Sequence, residues 1–129
     1  MSTSTAITDG IRVSVEAEYS PAHSAPEQSE WFFLYTVTIE NESDRTVQLL
    51  SRHWMIVDAT GRHQEVRGPG VVGEQPVLEP GDRYQYTSGC PLATPFGAMQ
   101  GSYRMTTADD REFDVAIARF ELRERRAIH

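Results

Sequence analysis

The sequence predicts an all-β fold of about seven or eight antiparallel strands, a β-sandwich or barrel, which one further spacing narrows to an immunoglobulin- or fibronectin-III-like sandwich. Three observations carry that prediction. Apolar residues recur at every second position in segment after segment, no segment sustains a 3.6-residue period, and turn residues punctuate the chain at short intervals. A chain of 129 residues has the size of one domain and can bury a core without a disulfide or a metal. Residues 1–129 are therefore read as a single unit, with its core over about residues 8–120 and frayed ends.

The elements follow in order. In IRVSVEA, Ile11, Val13, Val15 and Ala17 alternate with Arg12, Ser14 and Glu16, the mark of a half-buried strand. SPAHSAPEQSE reads as an exposed loop. In WFFLYTVTIEN, Trp31, Phe33, Tyr35, Val37 and Ile39 share one face. The other face fades from Phe32 and Leu34 to Thr36 and Thr38, as in a central strand whose start is covered on both sides. Asn41 to Arg45 is a turn, and TVQLLSRHWMIVDA continues as a strand long enough to predict a bend near Ser51. Thr60-Gly61 turns into RHQEVR. Past a glycine-rich segment come DRYQYTSG, GSYRMTTA and REFDVAI, the last two joined by a hairpin at Asp109-Asp110. The tail ELRERRAIH is charged and reads as frayed, although ARFELRERR also admits one short helix.

One spacing narrows the fold. Leu78, Pro80, Gly81 and Tyr84 spell L-x-P-G-x-x-Y, the spacing of a tyrosine corner, in which a Tyr hydroxyl bonds back to upstream backbone. An ordinary Pro-Gly turn before a strand is the alternative.

Composition removes several function classes. The net charge of -7 implies no phosphate-neutralising surface, so nucleic acid is not an expected partner. All twelve basic residues are arginine, which leaves no lysine for a triphosphate or a Schiff base. The start, MSTSTAITDG, lacks the basic and apolar regions of a secretory signal, and no apolar run approaches membrane-spanning length. The single cysteine, Cys90, permits no intrachain disulfide. The expected location is the cytoplasm, with no membrane association.

The segment RGPGVVGEQP, residues 67–76, contains G-x-G-x-x-G, the spacing of a dinucleotide-binding loop. Its surroundings argue against that chemistry. RHQEVR before it is too polar for a buried parallel strand, and Pro76 and Pro80 after it deny a helix. Pro69 has no N–H to give a phosphate, and Glu74 would repel one. The glycines instead predict a shaped, fairly rigid loop with Val71 and Val72 at its centre. Adjacent valines on an extended chain cannot both point inward. Either one of them offers a small apolar contact surface, or both serve as packing.

Other chemistry is thin. His23, His53, His63 and His129 show no metal-ligand spacing, so no metal site is expected. His53, beside Trp54, is read as a hydrogen-bonded structural residue. Cys90 lacks any nucleophile signature and reads as an inert, partly buried thiol. Asp109, Asp110, Glu112 and Asp114 are not spaced as a calcium loop. No catalytic residue and no cofactor is expected.

Taken together, Arg52-His53-Trp54, Asp58, Gly61, the run from Glu65 to Pro76, Pro80-Gly81, Tyr86 to Gly89 and Met99 to Tyr103 closely resemble the ApaG family. The resemblance runs from about Ile11 to about Leu122. It implies a fibronectin-III-like sandwich and no established catalytic activity. It also brings a link to magnesium and cobalt transport phenotypes, and a gene that commonly neighbours a diadenosine-tetraphosphate hydrolase. Related domains in a eukaryotic F-box protein and a polymerase-interacting protein imply a protein-binding module. The expected partner is thus another protein, with a homodimer left open. A binder of a small phosphorylated ligand and a metal-responsive protein are the alternative functions. The candidate surface is Gly68, Gly70, Val71, Val72 and Gly73, with His53 and Trp54 beside it.

Overall fold

In the strand Ile11–Tyr19, the alternation of apolar and polar residues becomes an alternation of buried and exposed ones, and the same rule builds almost every element. The computed structural model describes residues 1–124. Its strands are β1 (Ser2–Thr8), β2 (Ile11–Tyr19), β3 (Trp31–Asn41), β4 (Val47–Asp58), β5 (His63–Pro69), β6 (Val77–Leu78), β7 (Arg83–Leu92), β8 (Phe96–Thr107) and β9 (Glu112–Arg123). All pair antiparallel, in two sheets. One has the order β1-β2-β3-β7 and the other β5-β4-β8-β9, with β6 also on β4. This is the expected sandwich. Among the described residues, no helix is long and apolar enough to cross a membrane.

Several boundaries differ from the sequence reading. The start of the chain, expected to fray, is strand β1, paired with β2 from Ser2↔Ala17 to Thr8↔Ile11. At the other end β9 runs to Arg123, so the first part of ARFELRERR is strand and not helix. Residues 125–129 of the tail lie outside the described residues. The loop of residues 20–30 holds two short 3-10 turns, Pro21–His23 and Pro26–Gln28. The bend expected near Ser51 is a β-bulge between Leu49 and Ser51.

The tyrosine corner is not formed. The Tyr84 hydroxyl meets the Glu74 carboxylate at 3.4 Å and no backbone group. The Pro-Gly turn is held by Asn41 instead, a residue only 1% exposed. Its Nδ2 donates to the carbonyls of Arg45 (2.7 Å) and Leu78 (2.9 Å), and its Oδ1 accepts from the Ser43 amide and hydroxyl. A buried amide with all its bonds made ties the end of β3 to two loops.

The two sheets bury Phe33, Tyr35, Val37, Leu49, Trp54, Tyr103, Met105 and Phe120 between them. Trp54 meets Tyr35, Phe120 and Tyr103 edge-on, with centroids 5.3, 5.9 and 6.4 Å away. Within this apolar layer the hydroxyls of Tyr86 on β7 and Tyr103 on β8 bond each other across the sheets. Burial pushes both phenols above their ordinary value of 10.0, and the Arg52 charge pulls modestly the other way. Cys90 is buried too, its thiol pushed up to about 12, which makes it unreactive near neutral pH.

The sandwich is closed along one side and open along the other. Beside β1, the Ser4 hydroxyl donates to the Ala118 carbonyl (2.9 Å) and the Ala116 amide donates to the Thr8 hydroxyl (3.1 Å), so β1 covers the edge of β9. Among the described residues the opposite edges, β7 and β5, pair with no further strand.

The hydroxyl pair gives two predictions. Tyr86→Phe or Tyr103→Phe alone should each cost about 1–3 kcal/mol, because the remaining hydroxyl is left buried without a partner, and the double substitution should cost less than the two together. Urea unfolding of the three variants measures this. The folded phenols hold their protons to higher pH than the unfolded ones, so the fold should keep its stability below about pH 10 and lose it as pH rises beyond. Unfolding curves taken across that range would contradict the burial argument if stability stayed level.

Candidate functional site

Strand β4 outlasts either of its edge partners. From Val57↔His63 to Ser51↔Pro69 it is lined by β5, and at Val47 and Gln48 by β6. The bulge at Leu50 marks the handover, and residues 70–76 loop out between the two short strands. The glycine-rich motif is therefore an excursion within one edge strand, with no helix after it.

The excursion is a two-residue hairpin. Val71 N donates to Glu74 O (2.8 Å) and Glu74 N to Val71 O (2.9 Å). Val72 and Gly73 between them have φ of +41° and +81°, as a type I′ turn requires. Gly70 has φ of +60°, and a Cβ there would lie 2.3 Å from Glu74 O. Gly68 is needed for a different reason: its Cβ would lie 2.8 Å from the Arg52 guanidinium, which lies across it. Arg52 Nη1 donates to the carbonyls of Pro69 and Gly70, at 2.9 Å each. Gly70 N and Gln75 Nε2 both donate to Leu50 O, at 2.8 and 2.9 Å, and Gln48 Nε2 donates to Gln75 O at 3.1 Å. The loop is fixed at both feet.

Val71 is fully buried and pins the hairpin to the core, while Val72 at the tip is 57% exposed. One valine points in and the other out, as the extended-chain argument requires. The amides of Gly70, Val71 and Glu74 are consumed internally, and Pro69 has none. The loop thus lacks the row of free amides with which a glycine motif cradles phosphate.

The neighbouring candidates divide. Trp54 is 2% exposed and belongs to the core, so it forms no part of a contact surface, correcting the sequence reading. His53 projects from the opposite face of β4, in register with Arg67 and Ser102. There it lines a shallow depression with Ser51, Arg67, Ser102, Arg104 and Asp114. It is not the hydrogen-bonded residue expected. Its Nε2 has no hydrogen-bond partner among the described residues, and the Glu65 carboxylate lies 3.7 Å away. Arg104 nearby is committed to Glu112 (3.0 Å) and Asp114 (3.1 Å). Among the described residues no cluster of three or more His, Cys, Asp or Glu could hold a metal ion.

Sequence reasoning missed Arg52 as an anchor, and missed Glu74 and Tyr84 as the link from the excursion to β7. A signal for Arg52 existed. It shares parity with Trp54 and Ile56, so period two already places it on the inner face.

Comparison with known proteins adds the family. The ApaG domain, DUF525, matches residues 21–107. The Protein ApaG of Beijerinckia indica is 54% identical over 116 residues, 90% of this chain and 89% of that one. That of Rhodospirillum centenum is 56% identical over 116 residues, with the same coverage. The crystal structure of the ApaA protein from Bordetella pertussis superposes with a TM-score of 0.88 at 48% identity, covering 91% of this chain and 95% of that one.

Val72→Asn should stabilise the fold by about 1 kcal/mol, since Asn accepts positive φ and a β-branched residue does not. Gly70→Ala should destabilise it, through strain and the clash with Glu74 O. Thermal melts of the two variants should move in opposite directions. Millimolar NAD, ATP or diadenosine tetraphosphate should leave the melting temperature of the wild-type chain unchanged, and protection by several degrees would restore a phosphate role to the loop.

Proposed function

The chain belongs to the ApaG family, and we propose that it acts as a small non-enzymatic protein-interaction module, with the excursion between β5 and β6 as its contact element. Val72 is the observation that carries this reading. A β-branched residue at positive φ costs about 1–2 kcal/mol, and at 57% exposure no burial in the core offsets that cost. Strain of this kind is retained at sites where it serves recognition more often than elsewhere. The tip is apolar, exposed and held by side chains at both feet, so a partner would meet a surface that is already ordered.

The test is a paired measurement on wild type and Val72→Asn. Each is immobilised and used to retain proteins from a lysate of the native host, and each is melted. The expected variant is more stable and retains less. Equal retention of the same proteins by both would sink the reading, because the tip would then contribute nothing to recognition.

A further inference from the structure

We propose that the partner fitted by this site is a second copy of the chain, joined edge to edge through β7; the proposal rests on the excursion being a contact element. Asn41 N donates to Asp82 O at 3.0 Å, toward β7, while Phe32 O accepts from Ser20 N at 2.8 Å, on the β2 side. Groups alternate along an antiparallel strand, so odd-numbered residues of β3 bond β7. Through the register, their partners are Tyr84, Tyr86, Ser88, Cys90 and Leu92. The N–H and C=O groups of Arg83, Gln85, Thr87 and Gly89 therefore face outward. Pro91, also outward, has a carbonyl and no donor.

The same reasoning turns His63, Glu65, Arg67 and Pro69 outward on β5. That edge is short and charged, the usual protection against pairing. The β7 edge is ten residues long, and Arg83 is its only charge. Four donors at two-residue intervals recognise an extended strand, and β7 is itself such a strand. A two-fold axis at Thr87 pairs Thr87 with its copy, Gln85 with Gly89 and Arg83 with Pro91. Every edge donor then finds an acceptor, the one missing donor falls at the end of the ladder, and no like charges meet.

The axis also brings the two ends of the open side together. The excursion stands at the Tyr84 end of β7, linked by the Tyr84 hydroxyl to Glu74. At the other end a cleft opens on the same inner side, lined by Ile56, Asp58, Arg62, Gln64, Pro91 and Leu92. Antiparallel pairing sets Tyr84 opposite Cys90 of the second copy, so the Val72 tip of one chain approaches the cleft of the other. Glu74 then faces Arg62 of the second copy; among the described residues Arg62 makes no ion pair in its own chain, although its charge acts on Asp58.

Sedimentation from micromolar to millimolar concentration tests this. The expected result is a concentration-dependent species of twice the 14.5 kDa chain mass. Thr87→Pro removes an outward amide that bonds no described residue of the monomer, at the loss of one exposed hydroxyl bond to Thr36 (2.8 Å), and should give a folded single chain at all concentrations. Glu74→Arg should weaken association about tenfold or more, and adding Arg62→Glu should restore it. A single-chain mass throughout for the wild type would overturn the proposal, as would a dimer indifferent to both Thr87→Pro and Glu74→Arg. A chain that stays single yet retains another protein through Val72 would end this proposal and leave the interaction reading standing. A dimer that survives Val72→Asn unweakened would instead remove the excursion from the contact and end the proposal in this form.

Discussion

The shape of the candidate surface depends on one side chain, Arg52. Its guanidinium sits on the inner side of β4, where the alternation calls for an apolar residue, and makes two bonds to the Pro69 and Gly70 carbonyls. Those carbonyls have left the β4 ladder and would otherwise need water or another donor. Because the guanidinium lies across residue 68, that residue can carry no Cβ without displacing it. With the first foot of the hairpin fixed this way and the second fixed by Gln75, Val71 is driven into the core and Val72 out of it. Removing the cation would free the loop and unseat a fully buried valine together.

The asymmetry of the sandwich follows from how its edges are finished. On the closed side, Ser4 and Thr8 use hydroxyls to satisfy the outer groups of β9, so the two sheets are stitched by side chains and not by a ladder. On the open side no further strand among the described residues pairs with β5 or β7, and each carries a proline at an outward position, Pro69 and Pro91. A proline there costs no bond within the sheet and shortens the pairing any outside strand could make. The outward residues of β5 add charge to this protection, and those of β7 beyond Arg83 do not.

Much of the fold was legible because period two survives wherever a strand has one buried face. It failed where the pattern was interrupted or inverted. In β1 the half-buried positions are Ser2, Ser4, Ala6 and Thr8, while Ile7 is 55% exposed, so hydropathy points the wrong way. In β9 the buried residues are Val115, Ile117, Phe120 and Leu122. The step of three between Ile117 and Phe120 reflects an irregularity in pairing with β8, and a step of three is what a helix would show. The bulge at Leu50 shifts the phase of β4 in the same way, so the inward aim of Arg52 is legible from Trp54 and Ile56 and not from Val47 and Leu49. His53 and Trp54 were grouped because they are adjacent in sequence, although adjacency on a strand places side chains on opposite faces.

The glycine motif shows why spacing alone is a weak guide to chemistry. A dinucleotide loop uses its glycines for a tight turn, for backbone approach to a pyrophosphate and for close packing of a helix. Here the same spacing answers three other needs: room beneath a guanidinium at Gly68, positive φ against a carbonyl at Gly70, and the second position of a type I′ turn at Gly73. The residue that does not fit this scheme is Val72. Asn before Gly is what such a turn favours, and every other position of the excursion is occupied by a residue that suits its backbone or its packing. The misfit stands at the tip, where an apolar side chain reaches solvent, which is where a contact with another chain would be made.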